Sequence, residues 1–159
     1  MKLEKIIKNA CEESINESRT GDTENEIKFI QDYMKSASKI VVPSRNTVKL
    51  NIINSVLKEF GLQKAEQVNI NTNAADLNRL PALSKAVMAL DQCECDLIIS
   101  RGRLGVPGSG SMLVLIDKKG RILTAATSPS HVVHRKEVKD AVRDEIVHAL
   151  ERVGLKRVK

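Results

Sequence analysis

Lys39-Ile40-Val41-Val42-Pro43-Ser44-Arg45-Asn46-Thr47-Val48-Lys49 opens a stretch that runs on to Gly61 and decides the fold. Lys39–Pro43 is a short apolar run rich in β-branched residues, the pattern of a buried strand. Ser44-Arg45-Asn46 is a polar turn. Thr47–Phe60 then reads as a helix, with Val48, Ile52, Val56 and Leu57 among its apolar positions and Gly61 as its stop. The first-turn amides of such a helix lack intrahelical acceptors, and its dipole adds positive potential at that end. Ser44 and Asn46 add neutral donors, and Arg45 and Lys49 add full charges. A polyphosphate wants this mixture. The same spacing also reads more plainly, as an N-cap by Asn46 beside two surface cations.

Working outward, Leu3–Glu17 has helical period, with Leu3, Ile6, Ile7, Ala10, Cys11 and Ser14 on one face. Thr23 is placed to cap a second helix running to about Ser36, with Glu26 as its capping-box partner and Ile27, Ile30 and Met34 inward. These two helices form an N-terminal segment, residues 1–37. On the other side, Gln67–Ile70 reads as a second strand and Ala74–Leu90 as helical, with Pro81 marking a kink or a fresh first turn. Asp96–Ser100 is a third strand. Met112–Ile116 and Arg121–Ala126 flank Asp117-Lys118-Lys119-Gly120, a hairpin signal. A last helix spans about Arg135–Val153 and ends at Gly154. Strands alternating with helices, followed by a hairpin, predict one α/β domain over 1–159: a three-layer mixed sheet covered by helices.

Two other segments carry chemistry. Arg101–Gly110 holds four glycines and a proline, too many for regular structure. Glycine lets backbone approach a ligand closely, so Gly102, Gly105, Gly108, Ser109 and Gly110 are candidates to line a site at the carboxyl end of a strand. Arg101 and Arg103 are expected on opposite faces, one toward the site and the other toward a partner subunit. The plain alternative is a flexible surface loop. Thr127–Arg135 places small hydroxyl residues and two histidines before the last helix. Ser128, Ser130, His134 and Arg135 could meet a base edge, or Ser130 could simply cap that helix. No Gly-x-Ser-x-Gly elbow and no Walker loop is present.

Composition narrows the classes. The chain has 159 residues, 42% hydrophobic and 29% charged, with a net charge of +6. One Tyr, two Phe and no Trp leave almost no platform for stacking bases, which argues against a single-strand nucleic-acid binder. No run approaches the ~20 apolar residues of a membrane helix, and Met1–Ser18 has no secretory pattern. Cys93-Glu94-Cys95 is too tight for the usual zinc knuckle, and with Cys11 the odd count fits reduced thiols in a cytoplasmic protein.

Ser44-Arg45-Asn46-Thr47-Val48-Lys49 resembles the Thr/Ser-x-Asn-x-x-Lys phosphate grip of the inosine triphosphate pyrophosphatase fold. His134-Arg135 resembles that fold's Ser-His-Arg base-binding segment, with Val133 in the serine position. The whole chain, including Arg101-Gly102-Arg103-Leu104-Gly105-Val106-Pro107-Gly108-Ser109-Gly110-Ser111, resembles the methanogen HcgB family. These are guanylyltransferases of iron-guanylylpyridinol (FeGP) cofactor synthesis for Fe-hydrogenase.

The resemblance implies an inosine triphosphate pyrophosphatase-like fold, a homodimer, and GTP and a hydroxypyridinol as substrates. GMP joins the pyridinol oxygen and pyrophosphate leaves. It implies Ser44, Arg45, Asn46 and Lys49 on phosphate, Lys49, Arg101 and Arg103 at the reacting groups, and Ser128, Ser130, His134 and Arg135 around guanine. Mg2+ is expected with GTP, with no tightly bound cofactor. Its ligands stay open; Asp76, Asp96 and Asp117 are the nearest by topology. Hydrolases of the fold carry an acid after the third strand, where this chain reads Ser100-Arg101-Gly102-Arg103. Losing a water-activating acid suits transfer rather than hydrolysis. A nucleoside triphosphate pyrophosphatase and a non-catalytic nucleotide-binding module are the alternatives.

Overall fold

The computed structural model describes residues 2–129 and 137–158. The run that opened the sequence reading forms β1, Ile40–Pro43, buried along its length. It leads through a three-residue turn into helix α3, Thr47–Glu59. Gly61, at φ +76°, ends that helix in a Schellman motif: the Leu62 amide donates to the Leu57 carbonyl and the Gly61 amide to Lys58. Then come β2 (Ala65–Val68), a 3-10 turn (Asn73–Leu77), α4 (Pro81–Gln92), β3 (Leu97–Arg103), β4 (Gly110–Asp117), β5 (Ile122–Pro129) and α5 (Val138–Arg152). Two helices precede them, α1 (Lys2–Ile15) and α2 (Glu24–Ser36), the latter with the Thr23–Glu26 capping box in place.

The five strands form one mixed sheet in the order β2-β1-β3-β4-β5. β1 is parallel to β2 and β3, while β3, β4 and β5 are antiparallel. Side-chain alternation assigns the two faces. Ile40, Val42, Leu97, Ile99, Leu113 and Leu115 join a core under α3 and α5. Val41, Ile98, Val114 and Ile116 join a second core under the small residues Ala82, Ala86 and Ala89 of α4. Helices, sheet and helix make three layers. No helix among the described residues is long and apolar enough to cross a membrane.

Four expectations shift. The second strand is Ala65–Val68, not Gln67–Ile70, because Ala65 pairs with Ile40 and its backbone is clamped by the Asn54 side chain at 2.7 and 3.1 Å. The Ala74–Leu90 helix is two elements. Asn78 turns the chain by accepting from the Leu80 amide, and Pro81 starts a fresh first turn. The glycine-rich segment is partly regular: the β3–β4 ladder continues to Arg103↔Ser111, and only 104–109 is loop. On α1, Leu3 is buried, but Ile7 and Cys11 of the expected inner face are exposed, and the helix packs chiefly on α2.

Candidate active site

At the carboxyl ends of β1 and β3 the turn Ser44–Asn46 is closed by local hydrogen bonds. The Asn46 amide donates to Ser44 Oγ at 3.0 Å, and the Lys49 amide donates to Asn46 Oδ1 at 3.0 Å. Asn46 is therefore the N-cap of α3, and the Thr47 and Val48 amides have no intrahelical acceptor. No acidic residue stands in the first turn of α3 to compete with a bound anion. From β2, Gln67 Nε2 holds the Ser44 carbonyl at 2.5 Å, and Arg45 Nε donates to Asn69 Oδ1 at 2.8 Å.

A cleft of about 280 Å³ opens over this turn. Ser44, Arg45, Asn46 and Lys49 form one wall, Thr72 and Asn73 the rim beyond β2, Lys85 of α4 and Arg101 of β3 the far side, and Ile53, Ile99 and Val142 the floor. Lys49 is half-buried. Burial pushes its ammonium below lysine's ordinary range, Arg101 and Lys85 push the same way, and Glu145 opposes them. Lys49, Lys85 and Arg101 thus share one concave site, with Arg45 a fourth cation on its wall. Lys85 is held by Asp76 at 3.1 Å, and Arg101 by Glu145 with Nε–Oε1 at 2.8 Å. Lys49 has no ion-pair partner among the described residues.

Of the residues expected in a site, the structure brings Ser44, Arg45, Asn46, Lys49 and Arg101 together. Arg103 is not among the cleft's lining. Its guanidinium donates to the carbonyls of Asp76, Asn78 and Gly105, tying the β3–β4 loop to the 3-10 turn. The expected opposite faces fail on strand geometry: residues two apart share a face. Arg101 and Arg103 leave β3 on the same side and diverge only at their guanidinium groups, while Gly102 between them faces α4. A Cβ on Gly102 would meet the Ala82 amide nitrogen at 2.6 Å, so this glycine lets α4 approach the sheet. Gly110 allows a similar approach of β4 to the Ser128 carbonyl. Gly105, Gly108 and Ser109 lie in the loop, where Ser109 Oγ bonds the Leu104 and Val106 carbonyls. The cleft is lined without these five residues.

Ser128, expected beside guanine, is buried under α5 and donates to Glu145. Ser130, His134 and Arg135 lie outside the described residues. Asp96 and Asp117 sit at the other end of the strands, accepting from the Ser38 and Lys39 amides and from the Lys119 and Arg121 amides.

The match to known proteins falls on this framework. The family model described as "FeGP cofactor biosynthesis protein HcgB, guanylyltransferase" matches residues 3–155, nearly the whole chain. The chain belongs to the HcgB family. It is therefore an enzyme of a nucleotidyltransferase family with a role in FeGP cofactor biosynthesis, and its family's activity requires a nucleotide substrate.

Thr72, Asn73 and Lys85 of this HcgB cleft, and Glu145 beside it, escape sequence reasoning. Lys85 is the one lysine of α4, a surface-type residue on a helix whose pattern reports only its buried alanines. Glu145 looks like an ordinary charge in a highly charged helix, yet it is fully buried. Only the three-dimensional meeting of α5 with β3, β4 and β5 marks it.

Proposed function

We propose that this HcgB protein joins GMP from GTP to the oxygen of a hydroxypyridinol. The pyridinol oxygen attacks the α-phosphorus, the bond from that phosphorus to the α,β-bridging oxygen breaks, and pyrophosphate leaves with the electron pair. The acceptor's hydroxyl proton passes to solvent. A hydroxypyridinol oxygen is acidic enough that no dedicated base is required.

The observation that carries this reading is the convergence of Lys49, Lys85 and Arg101 on the capped amino end of α3. In such a site charge building on the phosphates meets cations already in position. Lys49 takes the β- or γ-phosphate, Ser44, Arg45 and Asn46 the oxygens nearest the helix, and Arg101 the reacting phosphate or an acceptor carboxylate. Ser130, His134 and Arg135 are assigned to guanine. The cleft is lined by no carboxylate among the described residues, and Asp76 and Glu145 are each tied to a cation. These residues do not suit a protein-held Mg2+. We assign the ion to the substrate, carried on the triphosphate. We further propose a cytoplasmic homodimer.

The test is to supply magnesium, GTP and the pyridinol and to follow pyrophosphate with and without acceptor. Acceptor-dependent release is expected. Release that ignores the acceptor would mean a pyrophosphatase, and no release despite tight binding would mean a nucleotide-binding module.

A further inference from the structure

Glu145 projects from the middle of α5 into the side of the sheet that leads to the cleft, and its side chain is fully buried. Its carboxylate accepts from Arg101 Nε at 2.8 Å and more weakly from Nη2 at 3.4 Å. It also accepts from Ser111 Oγ at 2.5 Å and from Ser128 Oγ. Ser111 and Ser128 are cross-strand partners, and Arg101 Nη2 donates to Ser111 Oγ at 2.7 Å. Three adjacent strands therefore send one side chain each to a single carboxylate on the helix above them. A buried ion pair is a poor source of stability, since apolar residues of similar volume hold a core as well or better. The arrangement needs another purpose, and the cleft beside it supplies one.

We propose that Glu145 is a positioning residue of the phosphate cleft: it locks the Arg101 guanidinium against the cleft wall and supplies the buried counter-charge to the cation cluster. This rests on the reading of the cleft as the GTP site. Arg101 held by two of its nitrogens cannot swing, so its remaining N–H groups meet the reacting phosphate without a search through rotamers. The same charge favours the protonated form of Lys49 against Arg101 of β3 and Lys85 of α4, the cations facing it; Arg45 of the turn and Asp76, through Lys85, complete the charged surroundings.

The experiment compares Glu145→Gln and Glu145→Asp with the parent protein for transfer rate and for GTP affinity from pH 6 to pH 10. Glu145→Gln keeps the shape and loses the charge. At pH 6, where Lys49 is protonated in either protein, GTP affinity should be unchanged or tighter while kcat falls at least tenfold. On the alkaline side the midpoint for loss of affinity should move down. Adding Lys49→Arg should abolish that alkaline loss, because a guanidinium keeps its proton. Glu145→Asp keeps the charge one methylene further back, so the midpoint should stay and kcat should still fall. A merely structural glutamate would weaken affinity and rate together and leave the midpoint in place. Either variant folded, with the parent's rate and midpoint, overturns the proposal. Lys49→Ala is the companion control. If it binds GTP normally, the cleft is not the nucleotide site and the inference falls with that reading; if it loses GTP while Glu145→Gln behaves as the parent, only the inference falls.

Discussion

At one end of β4, Asp117 is fully buried; at the other, Ser111 reaches Glu145, which is equally buried. Both carboxylates face an arginine, Asp117 Oδ2 taking Arg121 Nε at 2.5 Å. They differ in what else they hold. Asp117 accepts two backbone amides, Lys119 and Arg121, both at 2.9 Å, and so shapes the three-residue hairpin loop in which Gly120 takes φ +82°. Among the described residues Glu145 accepts only from side chains. A carboxylate that collects backbone amides organises the chain. One that collects side chains beside a cleft organises a site.

The largest effect expected from this contrast is at Asp117. Asp117→Ala strands two amides and an arginine, and should lower the unfolding free energy by about 3 kcal/mol in chemical denaturation. GTP affinity of the protein that remains folded should be unchanged. A GTP defect in folded Asp117→Ala would break the contrast.

Lys49 tests the other end. Lys49→Ala removes a charge-assisted contact worth about 1.5–3 kcal/mol, or roughly ten- to a hundredfold in GTP affinity by calorimetry. Stability should hold or rise, because a half-buried ammonium whose pKa is already pushed down by burial and two neighbouring cations costs the empty protein free energy. Affinity should also fall as pH rises through that lowered pKa, since only the ammonium attracts phosphate.

How far the sequence was readable follows the same division. The helix at Thr47, its Asn46 cap, the Gly61 and Gly154 stops, the Thr23–Glu26 box and the Asp117–Gly120 hairpin are local, and each is found where its own residues put it. The β2 limits depended on pairing with a four-residue strand, which no local pattern reports. The Gly-rich segment misled because Gly102 and Gly110 serve close packing inside strands rather than loop freedom. Of the cation cluster, Lys49 and Arg101 stood in readable segments, but Lys85 and the counter-charge Glu145 come from helices far along the chain. Their surroundings exist only once four elements meet.

Asn46 is both a local cap and a cleft residue. Asn46→Asp keeps an oxygen for the Lys49 amide, so thermal stability should be nearly unchanged. It replaces a donor with a negative charge beside the phosphates, and GTP affinity should fall about tenfold, roughly 1.4 kcal/mol. A sharp drop in melting temperature with binding intact would make Asn46 only a cap.

Glu26 extends the contrast to a third carboxylate, and here the expected effect is smallest. It accepts the Thr23 amide at 2.7 Å, as Asp117 accepts amides, and two Arg19 nitrogens at 2.8 and 2.9 Å. By the rule drawn from β4 it belongs to chain organisation, closing the first turn of α2, and its loss should leave GTP binding untouched. Its acid behaviour follows from the same contacts. The Arg19 guanidinium, helped by the Thr23 amide, holds the Glu26 carboxyl down at about 2. The unfolded chain has no such partner, so there the group titrates in the ordinary carboxylate range. A depressed folded pKa stabilises the fold in full above the unfolded value and loses that contribution as pH falls toward the folded one. The Glu26 contribution should therefore fade between about pH 4.5 and pH 2. Arg19→Ala removes the larger cause and leaves the Thr23 amide, so it should lower stability most above about pH 4.5 and flatten the slope across that window, the two proteins converging toward pH 2. Denaturant midpoints measured across that window in both proteins decide it. Parallel curves would mean that the pair contributes nothing beyond the cap, and a GTP defect in Arg19→Ala would break the rule that separates the two kinds of carboxylate.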